Sequence, residues 1–232
     1  MLGGCAGSAP APGPVALPRY ATSPGPSDAP GHEVAGALPG SAGAAALTVA
    51  DAASRVEVRT VDLPGLLYRV TTPYRSGLAP RVTGAAARLT LRLRPTGDDG
   101  PDAVLILLNR AVRWEIRLPA GGGEEHLELS RGRLTALELG AAGLVRVRLP
   151  PPVGLVAVTV LSGVGTVEFT APRATAMRLH LRRGAGETVV PWGAPHGGVA
   201  MSPGWGVRAN RYAIETRGGV GCVRVFALGP WR

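Results

Sequence analysis

The chain has 232 residues, a mass of 23.7 kDa and a formal net charge of +9 at pH 7. Its length suits one ordinary domain with a tail, the lack of a Gly-X-Y period excludes collagen, and no run of about 18 apolar residues is present to span a bilayer. All 25 basic residues are arginine, a bias that GC-rich codons produce, so the charge alone is only a weak indication of nucleic-acid binding.

Residues 1–50 have the composition of a disordered tail. They contain 9 Gly, 8 Pro and 13 Ala, and only Arg19, Asp28 and Glu33 carry formal charge. Nearly all Val, Leu and Arg residues follow this stretch. The sequence therefore predicts a tail over residues 1–50 and a single β domain over residues 51–232.

The segment LGGCAGS at residues 2–8 resembles the end of a bacterial lipoprotein signal. In that motif the cysteine becomes the first residue of the mature protein and is lipidated, and a tether rich in Pro, Ala, Gly and Ser follows. No basic and apolar leader precedes Leu2, so this interpretation requires a true start upstream of Met1. On that condition we predict lipidation at Cys5 and an extracytoplasmic, membrane-anchored protein. The alternative is an ordinary disordered N-terminus on a cytoplasmic protein.

From about Arg55 onward the apolar residues recur with the two-residue period of β-strands. Residues 86–109 contain two apolar runs around the turn PTGDDG, and they predict a β-hairpin. Residues 113–118 alternate as a further strand. The Ala-rich residues 44–54 are the single weak helix candidate.

Five glycine-led strands then recur along the second half of the chain. The last glycine of each strand is Gly123, Gly143, Gly165, Gly186 or Gly221. The spacing is about 21 residues with one longer insertion, and a second alternating strand lies between successive units. The second and fourth residues after each glycine are mostly apolar and the third is mostly polar, so the columns should face alternately inward and outward.

This repeat predicts an all-β fold, a glycine-cornered parallel β-roll or β-solenoid with repeats over about residues 119–227. Each corner glycine is expected to supply a positive φ and a close approach between backbones. The preceding hairpin region would join the stack to the tail. A β-sandwich with a similar number of strands is the alternative.

Several motifs resemble the toast-rack and putative-adhesin β-solenoid domains of bacterial envelope proteins. They are the repeated Gly-x-Gly corner, the strand ending in Leu149-Pro150, SPGW at 202–205, NRYAI at 210–214 and GGVG at 218–221. The group is similar to the C-terminal domains of proteins that respond to wall-active antibiotics, and the likeness covers about residues 103–227. It implies a cell-envelope location and a role in interaction or envelope-stress sensing, with no catalytic residues to carry over.

The sequence contains no strong catalytic or metal-binding pattern. The four histidines have no spacing that would bring them together on a metal, and no Gly-x-Ser-x-Gly elbow is present. The pairs Asp98-Asp99 and Glu124-Glu125 fall in predicted turns, where we expect solvated charge. We therefore predict a non-enzymatic protein with no cofactor or metal. A hydrolase acting on a carbohydrate or wall polymer is the alternative, and a cytoplasmic nucleic-acid-binding module ranks last.

The arginines form the main candidate binding surface, because residues 51–232 carry a net charge of +10, which is +9 for the chain minus −1 for the tail. We expect anionic wall polymer or lipid head groups to bind Arg146, Arg148, Arg178, Arg182 and Arg183. An ion pair between Arg146 and Glu168 is also expected across neighbouring turns.

A second candidate surface is the insertion at residues 191–206, which carries Trp192, His196 and Trp205. These residues are predicted to make loop contacts with an envelope component or a partner protein, or to cap the open end of the roll. The last strand, at residues 223–227, is predicted to be an exposed edge that could pair with a strand of a partner.

Overall fold

The computed structural model describes residues 30–40, 43–85 and 87–228, and these ranges form 18 β-strands and no helix. In chain order the strands are β1 (Pro30–Ala37), β2 (Ala44–Val49), β3 (Ala53–Val61), β4 (Leu66–Pro73), β5 (Leu78–Ala85), β6 (Arg88–Pro95), β7 (Ala103–Asn109), β8 (Arg113–Leu118), β9 (Gly122–Glu128), β10 (Arg133–Leu139), β11 (Ala142–Arg148), β12 (Leu155–Val160), β13 (Val164–Pro172), β14 (Ala176–Leu181), β15 (Ala185–Val189), β16 (Val199–Met201), β17 (Arg211–Thr216) and β18 (Val220–Leu228). The described residues thus contain no helix that could span a membrane. Cys5, the predicted lipidation site, lies outside the described residues.

Two nine-stranded sheets enclose the core. Sheet A has the order β1-β4-β7-β3-β9-β11-β13-β18-β15, and sheet B has the order β5-β6-β2-β8-β10-β12-β17-β14-β16. The inner strands pair in parallel, and antiparallel pairs occur only towards the ends of the sheets. The apolar side chains of both sheets form one continuous core. The predicted parallel β-roll is therefore confirmed, and the β-sandwich alternative is excluded.

Each coil of the roll is one strand of sheet B followed by one strand of sheet A. In space the coils do not follow chain order, because β2–β3 lies between β6–β7 and β8–β9, and β17–β18 lies between β12–β13 and β14–β15. The coil that comes first in the chain, β2–β3, and the coil that comes last, β17–β18, therefore each have a neighbouring coil on both sides. Each is the second coil from its end of the stack. The predicted exposed edge at residues 223–227 is wrong for Val223 and Arg224, because β18 pairs with β13 along its length and with β15 as far as Arg224. Within the described strands, residues 225–227 pair with β13 alone.

The repeat columns face as the sequence predicts. Four members of the fourth column are buried and Val190 is partly buried; the buried four are Leu127, Val147, Phe169 and Val225. In the second column Val145, Val167 and Val223 are fully buried. The third column faces outward on sheet A, and its members are partly or largely exposed.

The prediction of a tail over residues 1–50 is wrong for its last part. β1 pairs antiparallel with β4, and β2 lies between β6 and β8, so both strands belong to the fold. Composition hid the alternation of Ala45, Leu47 and Val49, whose side chains are all buried. The same strand replaces the predicted helix at residues 44–54. Residues 1–29 lie outside the described residues.

The predicted hairpin over residues 86–109 is also wrong in its pairing. β6 belongs to sheet B and β7 to sheet A, so the intervening turn is the corner of a coil. β6 instead forms an antiparallel hairpin with β5, the strand that precedes it. Alternation marks the strands themselves but carries no information about which sheet they join.

The edges of the parallel stack are covered mainly by antiparallel strands. β4 and β1 extend sheet A beyond β7, β5 extends sheet B beyond β6, and β16 extends sheet B beyond β14. Such strands keep the stack from pairing with other molecules along these edges. The insertion at residues 191–206 provides β16 and so caps one end of sheet B, as its position predicts.

Candidate functional site

The five predicted arginines do not form one continuous strip. Arg146 and Arg148 lie on the outer face of sheet A, in β11, whereas Arg178 lies on the outer face of sheet B, in β14. Arg182 and Arg183 follow the end of β14. The candidate surface is therefore divided between the two faces of the roll.

Three of these arginines are paired with carboxylates. Arg146 Nε lies 2.9 Å from Glu168 Oε2, which confirms the expected pair, and Arg148 Nε lies 3.5 Å from a carboxylate oxygen of Glu128. Arg182 Nε lies 3.0 Å from Glu215 Oε1. Exposed pairs of this kind stabilise a fold by roughly 0–1 kcal/mol, so their main effect is to balance charge locally.

Arg178 has a different environment, because its guanidinium stacks on Trp205. The Arg178 Cζ atom lies 5.1 Å from the centre of the Trp205 ring, and Arg211 Cζ lies 4.8 Å from it. Arg211 also donates from Nη1 to the Trp205 carbonyl oxygen at 2.9 Å. Cation–π stacking therefore holds two positive charges at one half-buried tryptophan.

A third arginine lies beside this pair. Arg208 donates from Nη1 to the carbonyl oxygen of Ala174 at 3.2 Å, and its side chain packs near Gly204. Among the described residues, no carboxylate forms an ion pair with Arg178, Arg208 or Arg211. The reason is visible in the sequence: residues 150–214 contain six arginines but only two acids, and both acids lie on sheet A.

Exposed apolar side chains surround the three arginines. Leu155 is the parallel partner of Arg211, and Met201 is the antiparallel partner of Arg178. We call this region the Trp205 surface, and it consists of Trp205, Arg178, Arg208, Arg211, Val153, Leu155, Met201 and Val207. Sequence analysis identified only Arg178 and Trp205 of this set, and did so as separate candidates.

The other two predicted loop residues have surroundings of their own. Trp192 packs against the core and lines a small crevice with Met177 and Phe226, whose volume of about 10 Å³ holds one water at most. His196 forms a short backbone bridge with Val199, with N–H to carbonyl distances of 2.9 and 3.1 Å. The insertion therefore does not bring Trp192, His196 and Trp205 together at one site.

A shallow groove lies on the outer face of sheet B. It has a volume of about 140 Å³, and Glu115, Ala136, Glu138, Ala157 and Thr159 line it. Three or more His, Cys, Asp or Glu side chains do not come together anywhere in the described ranges in a way that could hold a metal.

Comparison with solved structures gives a match to the fold. A protein from Clostridium sporogenes described as a "putative cell adhesion protein" superposes with a TM-score of 0.65 at 18% identity, over 84% of this chain and 98% of its own. A "putative adhesin" from Bacteroides fragilis aligns over 83% of this chain and 95% of its own, at 11% identity and a TM-score of 0.30. No family model and no curated protein matches the chain. The first structure confirms, at the level of fold, the resemblance to adhesin-type β-solenoids.

Sequence reasoning missed one unusual residue in the core. Glu125 occupies the second repeat column, between Val56 of β3 and Val145 of β11, and it is fully buried. Neither of its carboxylate oxygens has a hydrogen-bond partner. Burial raises the pKa of Glu125 from 4.5 to about 7. The expected solvated turn at Glu124-Glu125 is therefore wrong for Glu125, whereas Glu124 faces outward and pairs with Arg55 at 3.1 Å.

Proposed function

We propose that the chain is a non-enzymatic interaction module of the bacterial cell envelope that binds an anionic partner through the Trp205 surface. The observation that supports this most strongly is the group of three arginines without acidic partners around one tryptophan. Of the other four arginines predicted to bind, Arg146, Arg148 and Arg182 each form an ion pair with a carboxylate. The name of the Clostridium sporogenes protein, with its matching fold, is consistent with a role in adhesion.

The position of the Trp205 surface suits such a role. β1, the first described strand, lies at one edge of sheet A, and the Trp205 surface lies on the other sheet near the opposite end of the stack. The nine strands of sheet A span eight steps of about 4.8 Å, or about 38 Å. A contact surface this far from β1 stays accessible when the chain is held through its N-terminal region.

Lipidation of Cys5 would provide that attachment, and it is part of the proposal. The supporting observation is the motif LGGC followed by a stretch rich in Pro, Ala and Gly. We expect cells that express the gene with its upstream DNA to incorporate a radiolabelled fatty acid into the product, and Cys5→Ala to abolish the label. A labelled Cys5→Ala product, or an in-frame stop codon immediately upstream of Met1, would disprove the tether.

Binding to isolated envelope fragments tests the contact surface itself. We expect Arg178→Gln combined with Arg208→Gln to weaken co-sedimentation of the purified chain with these fragments by 10-fold or more, because each charge removed weakens binding by roughly 0.7–1 kcal/mol. The matched control is Arg146→Gln combined with Arg148→Gln, which removes the same charge from sheet A and should change binding by less than about twofold. Equal losses in both double variants would show that net charge, and not this surface, causes binding.

A further inference from the structure

We infer that the partner of the Trp205 surface is an anionic lipid bilayer, into which its apolar side chains insert. This inference rests on the proposed function and names the partner of the same surface. Arginine clusters alone fit any polyanion, such as a wall polymer. The choice of a bilayer therefore depends on the apolar residues that lie among the arginines.

Apolar exposure in the described residues is concentrated at this surface. Seven large apolar side chains are exposed among all the described residues, and four of these seven belong to the Trp205 surface. The exposed fractions are 74% for Val153, 58% for Leu155, 54% for Met201 and 89% for Val207. A soluble polymer offers no apolar phase for such side chains, whereas a bilayer does.

Strand pairing places the apolar and basic side chains next to each other. Leu155 neighbours Arg211 across β12 and β17, and Met201 neighbours Arg178 across β16 and β14. The Gly154 N–H donates to Asn210 Oδ1 at 2.7 Å, which fixes the segment containing Val153 and Leu155 against the residue that precedes β17. In a bilayer, the arginines would thus contact head-group phosphates while the neighbouring apolar side chains enter the acyl region below.

Charge and the tryptophan fit the same partner. Arg178, Arg208 and Arg211 carry no acidic partner in the described structure, and only two acids occur in residues 150–214. Each basic residue near an anionic membrane surface strengthens binding by about fivefold. Tryptophan is enriched at the level of the head groups, and two of the arginines stack on Trp205.

The test is co-sedimentation of the full chain with vesicles. We expect binding to vesicles of phosphatidylcholine with about one-third phosphatidylglycerol, and little binding to phosphatidylcholine alone. Arg178→Gln with Arg208→Gln should weaken binding by about 25-fold. Val207→Ser should weaken it by about 10-fold, because it removes an apolar side chain from the contact without changing charge.

Val189→Ser is the matched control for Val207→Ser, because Val189 is also an exposed valine but lies in β15 of sheet A. It should leave vesicle binding unchanged. Circular dichroism melting curves of all variants confirm that each is folded. Val207 is so exposed that its replacement does not disturb the core.

The inference fails if the chain does not bind anionic vesicles, or if Val207→Ser binds as tightly as the unmodified chain. It also fails if the exposed apolar residues instead join two copies of the chain, which analytical ultracentrifugation would detect. If envelope fragments still bind through Arg178 and Arg208 in these cases, the proposed function stands with a different partner. Loss of that binding as well would overturn the proposed function itself.

Discussion

Between pH 4.5 and pH 7 the free energy of unfolding is expected to fall by about 3 kcal/mol because of one buried carboxyl group, that of Glu125. Its pKa is raised to about 7 in the folded chain, against 4.5 for an ordinary glutamate. In this window the folded protein keeps a proton that the unfolded chain releases, so rising pH favours unfolding. Below pH 4.5 both states are protonated, and above pH 7 both are ionised, so this contribution then stays constant.

Other groups titrate around the same range but can be separated from Glu125. His126 points to the opposite face, and burial together with Arg55 and Arg146 lowers its pKa, so it destabilises the fold as the pH falls. The pKa values of Glu187 and Glu215 are lowered, by hydrogen bonds from Cys222 and Arg217 respectively, and these acids matter only at lower pH. All of them contribute equally to the unmodified chain and to a Glu125 variant, so they cancel in the difference.

Glu125→Gln isolates the effect, because it keeps the shape of the side chain and removes the titration. Urea denaturation between pH 4.5 and pH 8 should show the difference between the two chains growing to about 3 kcal/mol and then levelling off. Glu125→Val should be more stable still at pH 8, since valine occupies the same column in the coils on both sides. Glu124→Gln, on the same strand but exposed, is the control and should show no such curve. Parallel pH profiles for the unmodified chain and Glu125→Gln would disprove the prediction.

The sequence predicted the roll because its signal is local and repeated. Alternation assigned the strands, and glycine spacing showed that one unit recurs, so the inward positions of Val145, Phe169 and Val225 followed directly. The order of the coils could not be predicted in this way. A repeat pattern describes the faces of each coil, but every coil offers its neighbours the same apolar face, and nothing local shows that β17–β18 inserts before β14–β15.

The candidate site was predicted only in part, for a related reason. Arg178 and Trp205 are 27 positions apart in the chain, and the stacking of one on the other depends on how the insertion folds back over β14. Arg208 and Arg211 were missed, although the excess of arginine over acid in residues 150–214 was a usable signal. Glu125 also left a signal, since it breaks a column of valines, and its expected place in a turn concealed this.

The corner glycines allow the close backbone approach that the sequence predicts, but they do not adopt the predicted positive φ. Positive φ occurs at other glycines, and none of the five corner glycines of the repeats has it. A Cβ on Gly165 would instead lie 2.5 Å from the carbonyl oxygen of Gly143, and one on Gly221 would lie 2.5 Å from the carbonyl oxygen of Gly165. Each coil thus fits over the backbone of the next only where a side chain is missing.

Gly165→Ala is therefore expected to lower the free energy of unfolding by about 3 kcal/mol, because the new methyl group must push apart two hydrogen-bonded strands. Gly163→Ala is the matched control, two residues earlier in the same corner, where the nearest atom to a new Cβ is the Gly219 carbonyl oxygen at 3.7 Å. This control should change stability by less than about 1 kcal/mol, since the contact is ordinary and alanine restricts the unfolded chain. Denaturation curves of the two variants at one pH measure the difference. Equal losses would mean that the corner rejects any side chain because of its conformation, and not because neighbouring coils approach so closely at Gly165.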